Sequence, residues 1–147
     1  MLCNIKSLYS LIKGQYRYTF KSIPIFFTED IMEIHGVYLI NFGTNVGKEF
    51  NGQHYGIIIS EKSKKDETML VVPLTSKKKG IKYRGGFTID NTKYQKEPSC
   101  LSSFAKVRKL REIDKNRIIK KKLIFSLDDE DIDKLKKSLK ELIICLK

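Results

Sequence analysis

From Gly36 onward the apolar residues fall into short runs separated by polar turns. Val37 to Phe42 predicts a first strand, closed by the loop Gly43 to Gly47. Tyr55 to Ser60, with Ile57, Ile58 and Ile59 at its centre, predicts a second. Thr68 to Leu74 predicts a third and Gly86 to Asp90 a fourth, and Leu101 to Arg111 reads as one long or bent strand. Several short strands divided by Gly- and Lys-rich turns predict a small antiparallel barrel or sandwich. The end of the chain has a different period. Ile132, Leu135, Leu139, Leu142, Ile143 and Leu146 trace one stripe of a helix, which should pack on the strands. Ser126 stands three residues before Asp129, the spacing of a capping box, and Asp128 to Asp133 place negative charge at the positive end of the helix dipole. The expected class is α+β, mainly β.

The first 35 residues follow neither pattern. Ile5, Leu8 and Ile12 have helical spacing, Tyr16, Tyr18 and Phe20 alternate like a strand, and Pro24 breaks the alternation. Residues 1–35 therefore read as an N-terminal extension, a helix and hairpin leaning on a domain formed by 36–147. With 147 residues and 41% apolar composition, one core and one domain are expected.

Charge changes this picture. The formal net charge is +12, and residues 77–122 alone hold 16 Lys and Arg against 4 Asp and Glu. An excess confined to one third of the chain makes a local field that attracts polyanions, nucleic acid foremost, although Lys-rich composition also serves solubility. No basic helix with a broad aromatic face coincides with the excess, so a membrane surface is the weaker partner. Cys3, Cys100 and Cys145 form no CxxC pair and have no His at zinc spacing, which predicts neither a structural metal nor a secreted disulfide scaffold. Near the N-terminus Leu8, Leu11 and Ile12 are too broken for a signal core, and no run approaches the roughly 20 apolar residues that span a bilayer. A cytoplasmic protein is expected.

Four stretches in order carry a resemblance. Gly36 to Phe42, followed by Gly47-Lys48-Glu49 and Asn51-Gly52, resembles the opening of the PemK/MazF toxin family, where a first strand leads into a G-S-E-Q-x-G loop and then R-P. Val72-Pro73-Leu74-Thr75-Ser76 is similar to the family's strand ending in threonine and a second small or hydroxyl residue. The run from Lys109 to Arg117 resembles its late strand, Q-[IV]-R-x-[IV]-D-x-x-R, and Leu127 to Glu130 with the helix beyond resembles its closing element. The resemblance covers about 36–146. It implies an SH3-like small β-barrel with a C-terminal amphipathic helix, a homodimer with single-stranded RNA across the interface, and a cognate acidic antitoxin. It also implies cleavage without metal or other cofactor, the RNA's 2′-hydroxyl attacking to leave a cyclic phosphate and a 5′-hydroxyl.

Such a reaction needs a proton acceptor, a proton donor and groups that stabilise charge on the phosphorane. His54 stands where the family pattern has the arginine of R-P, and Tyr55 replaces the proline. Histidine titrates near neutrality whereas arginine does not, so His54 is expected to act directly as acid or base. The alternative is that the substitution weakens the role and leaves a surface histidine. Thr75 matches the family's catalytic threonine, and Glu49 its loop glutamate; each also has an ordinary structural reading, as turn chemistry or a solvated loop side chain. Ser76, Lys77, Arg84, Lys106, Arg108 and Arg111 are expected RNA contacts, Arg111 having the alternative of bracing Glu112 or Asp114. Tyr83 offers a face for unpaired bases; Phe87 and His35 read as structural. Rival readings are a noncatalytic nucleic-acid-binding barrel and a barrel whose basic groove only docks an acidic partner.

Overall fold

A computed structural model describes residues 32–61, 65 and 67–144. The helix and hairpin expected over the extension fall in 1–31, outside the described residues. Seven strands follow in order: β1 (Gly36–Asn41), β2 (Gln53–Ile58), β3 (Thr68–Ser76), β4 (Phe87–Asp90), β5 (Ser102–Ala105), β6 (Arg111–Asp114) and β7 (Phe125–Ser126). One helix, α1 (Asp129–Ile144), closes the domain. The sheet runs β4-β5-β3-β2-β1-β7, with β6 also on β3, and every pairing is antiparallel.

The nine-residue β3 is the hub. It pairs with β2 through Val71–Pro73, with β6 through Thr68–Val71 and with β5 through Leu74–Ser76. Leu101 to Arg111 is therefore not a single strand. A 3-10 turn at Val107–Lys109 divides it, because Val107 turns into the core while the Lys106 amide donates to the Pro73 carbonyl at 2.9 Å. Beyond β6 the chain returns to β1: Ile118 bridges Ile40, and the Ile119 amide donates to the Leu39 carbonyl at 2.8 Å. That return curls the sheet into a half-barrel, the mainly β, α+β fold that the pattern predicts.

The sheet is buried on both faces, which is why β1 reads as a continuous apolar run rather than an alternation. One face gathers Val37, Ile57, Val72, Leu74, Ile89 and Leu127 under α1; the other gathers Tyr38, Ile40, Phe42, Ile58, Met69 and Val71. Gly56 permits the second cluster to close, since a Cβ there would lie 2.7 Å from Ile40 Cδ1.

Two expectations about the helix are corrected. Ser126 does not cap it, because Ser126 is committed to β7 opposite Gly36. The cap is Asp128, whose Oδ1 accepts from the Asp131 amide at 2.9 Å. The apolar stripe also packs over only part of its length. Leu135 is buried with Ile132 and Leu139 beside it, whereas Leu142 is exposed and Ile143 is 65% exposed. Leu146 lies outside the described residues. At the start of the helix Asp131 is buried and accepts from the Tyr94 hydroxyl at 2.8 Å and from Lys134 at 2.9 Å. Burial, together with the neighbouring carboxylates, pushes the Tyr94 phenol up from its usual range. No helix among the described residues is long and apolar enough to cross a membrane.

Candidate nucleic-acid interface

Strand register brings three of the expected residues to one face. Gly56 pairs with Pro73 across β2 and β3, so His54 and Thr75, each two residues further on, share that face. Thr75 pairs in turn with Phe104 on β5, and Lys106 follows two positions later. His54 lies within β2 opposite Ile40, not before the strand as its motif position suggests. Towards Gln53 and Ser76 the paired register between β2 and β3 ends, and a cleft of about 200 Å³ opens there. Leu39, Tyr55, Leu74, Ser76 and Ser103, which the register turns to the opposite face, line most of it, with His54 and Thr75 at its edge.

Aromatic contacts fix the imidazole. Its ring meets the edge of Phe50 at 4.4 Å between centroids, and Phe42 lies at 6.5 Å. Phe50 belongs to the β1–β2 loop, which is held shut by backbone bonds between Phe42 and Gly52 and between Gly52 and Gly43, both 2.8 Å. The Asn45 amide donates to the carbonyls of Phe42 and Phe50 inside the same loop. Two cations stand over these rings: Lys106 Nζ is 5.1 Å from the Phe50 centroid, and the Arg111 guanidinium carbon is 5.9 Å from that of Phe42. Partial burial lowers the His54 pKa from its usual value, and the charge of Lys106 acts in the same direction, while a hydrogen bond with the Asn51 backbone opposes them. A neutral imidazole bonded at one nitrogen to the backbone keeps the other available to accept a proton.

Beside this patch runs a cationic trough of about 440 Å³ lined by Lys82, Tyr83, Arg84, Phe104, Lys106 and Arg108. Tyr83 packs on Phe104 at 4.9 Å, and its hydroxyl donates to the Ser76 carbonyl at 3.3 Å and accepts from the Lys78 amide at 3.1 Å. Gly85, at φ 71°, lets the Arg108 side chain cross the backbone; a Cβ there would lie 2.1 Å from Arg108 Cδ. Lys77 bonds Thr88 Oγ1 at 3.0 Å at the end of β3. Glu49 is exposed on the β1–β2 loop, and its carboxylate makes no hydrogen bond or ion pair among the described residues. Nor does Arg111 brace its neighbours: Glu112 accepts from Thr68 at 2.5 Å, and Asp114 accepts from the Asn116 amide at 2.7 Å. Among the described residues no group of three His, Cys, Asp or Glu converges to hold a metal ion.

The sequence profile described as "PemK-like, MazF-like toxin of type II toxin-antitoxin system" matches residues 35–143. The chain belongs to that family. Solved structures agree on the fold. The chain is similar to MazF (Form-I) from Deinococcus radiodurans, with 19% identity over 77% of this chain and 96% of that one and a TM-score of 0.58. It is similar to an endoribonuclease in complex with its cognate antitoxin from a mycobacterial species (15% identity, 77% and 94% covered, TM-score 0.52). It is also similar to the MazE-MazF (Form-II) structure from Deinococcus radiodurans (19% identity, 76% and 94% covered, TM-score 0.53). No curated protein matches the chain in sequence.

In this MazF-like chain sequence reading missed two residues of the patch. Phe50 gave one signal, the single aromatic side chain between Gly43 and Gly52, and Phe104 gave none beyond its place in an apolar strand. Phe87 is a core residue, as expected. His35 works through its backbone, donating to the Ile58 carbonyl at 2.7 Å and accepting from the Leu127 amide at 3.1 Å.

Proposed function

We propose that this toxin-family chain is an endoribonuclease that cuts single-stranded RNA by attack of the RNA's own 2′-hydroxyl. The observation that carries the reading is the gathering, on one face of the sheet, of a partly buried imidazole, a hydroxyl-tipped strand end and an aromatic-lined cationic trough. Tyr83 and the packed Phe104 give unpaired bases a surface, and Lys82, Arg84 and Arg108 give the backbone its counter-charges. Thr75 donates a hydroxyl hydrogen bond to a phosphate oxygen, and Ser76, Lys77 and Arg111 hold the flanking chain. His54, disposed to be neutral, takes the 2′-hydroxyl proton. Glu49, exposed on its loop, contacts a base edge or shares the proton-accepting task.

Two partners follow from the same reading. A homodimer rests on the family resemblance. An acidic antitoxin segment rests on the trough's charge, which would speed association, and on the related structures described as an endoribonuclease with its cognate antitoxin and as MazE-MazF. The site of action would be the cytoplasm, where RNA and antitoxin are made.

Incubation with mixed-sequence RNA in excess chelator tests the reading. Discrete fragments bearing 5′-hydroxyl ends are expected. Retarded but intact RNA would instead support a noncatalytic binding barrel, the reading that histidine in place of the family's arginine favours.

A further inference from the structure

We infer that Lys106 is a catalytic residue of this site, its ammonium meeting the non-bridging oxygens of the scissile phosphate while His54 takes the 2′-hydroxyl proton. The inference rests on the nuclease reading above and deepens it, turning one of several backbone contacts into the charge that stabilises the transition state.

Three placements single out Lys106 from the other cations. It lines the trough with Arg84 and Arg108, so a strand held there passes it. Its Nζ lies over Phe50, the ring in edge contact with His54, so ammonium and imidazole flank a single aromatic platform. Its backbone is pinned to Pro73 at 2.9 Å, two residues from Thr75, which places hydroxyl, imidazole and ammonium around one patch. Among the described residues neither Arg84 nor Arg108 makes a hydrogen bond or a cation–ring contact with His54, Phe50 or Phe42, and Arg111 stands over Phe42, the more distant ring.

The step balances without a metal. The 2′-oxygen bonds to phosphorus as its proton passes to His54. The bond from phosphorus to the 5′-oxygen breaks, and that oxygen leaves with the electron pair and takes a proton from water. His54 returns its proton to solvent. Lys106 exchanges none; it offsets the negative charge that grows on the phosphorane, where a preorganised donor acts far more strongly than in water. The same charge acts on His54. The groups around the imidazole are the Asn51 backbone from the β1–β2 loop, neutral Thr75 on the same face of β3, Lys106 beyond β5 and, across Phe42, Arg111 from β6. Lys106 is the cation among them that holds His54 towards its neutral form.

Single-turnover cleavage at saturating protein separates binding from chemistry. Lys106→Gln should lower the saturated rate about 10²-fold, the cost of one lost donor to a developing oxyanion, with a loss of RNA affinity no larger than that of Arg84→Gln. The acid limb of its rate profile should move to higher pH, because His54 loses a neighbouring positive charge. Lys106→Arg, which keeps the charge, should recover to within about tenfold of the parent. Arg84→Gln should act mainly on affinity, lowering the saturated rate far less than Lys106→Gln does. An active parent whose Lys106→Gln variant keeps the saturated rate and behaves like Arg84→Gln overturns this inference alone. A parent that leaves RNA intact removes the nuclease reading and this inference together.

Discussion

The two faces of the sheet treat charge in opposite ways. Under α1, cations meet carboxylates: Lys93 pairs with Asp128 at 3.3 Å and Glu130 at 2.6 Å, and Lys134 with Glu130 at 2.8 Å and Asp131 at 2.9 Å. On the face of His54, Lys106 and Arg111 lie over aromatic rings, and with Arg84 and Arg108 they make no ion pair among the described residues. Neutralised charge on the first face belongs to the fold. Charge left without a counter-ion on the second is a standing field, stabilised by ring quadrupoles rather than by carboxylates, and available to an external polyanion. The same comparison explains why the formal charge of the 77–122 segment could suggest a polyanionic partner but could not point to a face.

The sharpest break in the comparison is His54→Ala. Cleavage by a folded variant should fall about 10³-fold, within the range typical of a lost general base, with the mapped cut sites unchanged. Equal rates in variant and parent would remove His54 from the chemistry. In the parent, rate against pH should rise through an apparent pKa below the unperturbed value of roughly 6.5, because burial and Lys106 both lower the imidazole. A limb above that value would contradict the described environment.

Thr75→Ala should be next, costing on the order of 10²-fold in rate if its hydroxyl donates to the phosphorane, with the thermal midpoint little changed. On the opposite face Tyr94→Phe should do the reverse. It leaves one oxygen of the buried Asp131 and the Asp128 amide without the phenol, for a loss of about 1–3 kcal/mol in a denaturant titration, with cleavage untouched. A rate loss in Tyr94→Phe would show that the faces are coupled. The smallest effect belongs to Arg84→Gln, which should reduce the slope of log affinity against log salt by about 0.7, one phosphate contact on a single strand.

Much of the fold was legible because its cause is local. The four shorter apolar runs lie within a residue or two of their strands, since burial on both faces leaves each as a compact hydrophobic segment. Leu101 to Arg111 was misread as one strand because the pattern is apolar on both sides of Lys106, and only competition between two stretches of β3 places the turn at Val107. β7 is two residues long and carries no period at all. At the candidate site, His54, Thr75 and Glu49 were singled out through flanking motifs, and Glu49 has no hydrogen-bond or ion-pair partner among the described residues. Phe50 was passed over because an aromatic residue in a loop takes its meaning only from its contact with His54.

The order of short strands, the closing helix, the basic segment and the family itself are properties of the chain read in one dimension, because residue periodicity and motif spacing survive without coordinates. Which face a residue occupies does not survive in that form. The pairing of Gly56 with Pro73 and of Thr75 with Phe104 decided that His54, Thr75 and Lys106 share one surface. A one-residue change in either register would have turned a strand's side chains to the other face, and local sequence holds no record of that choice.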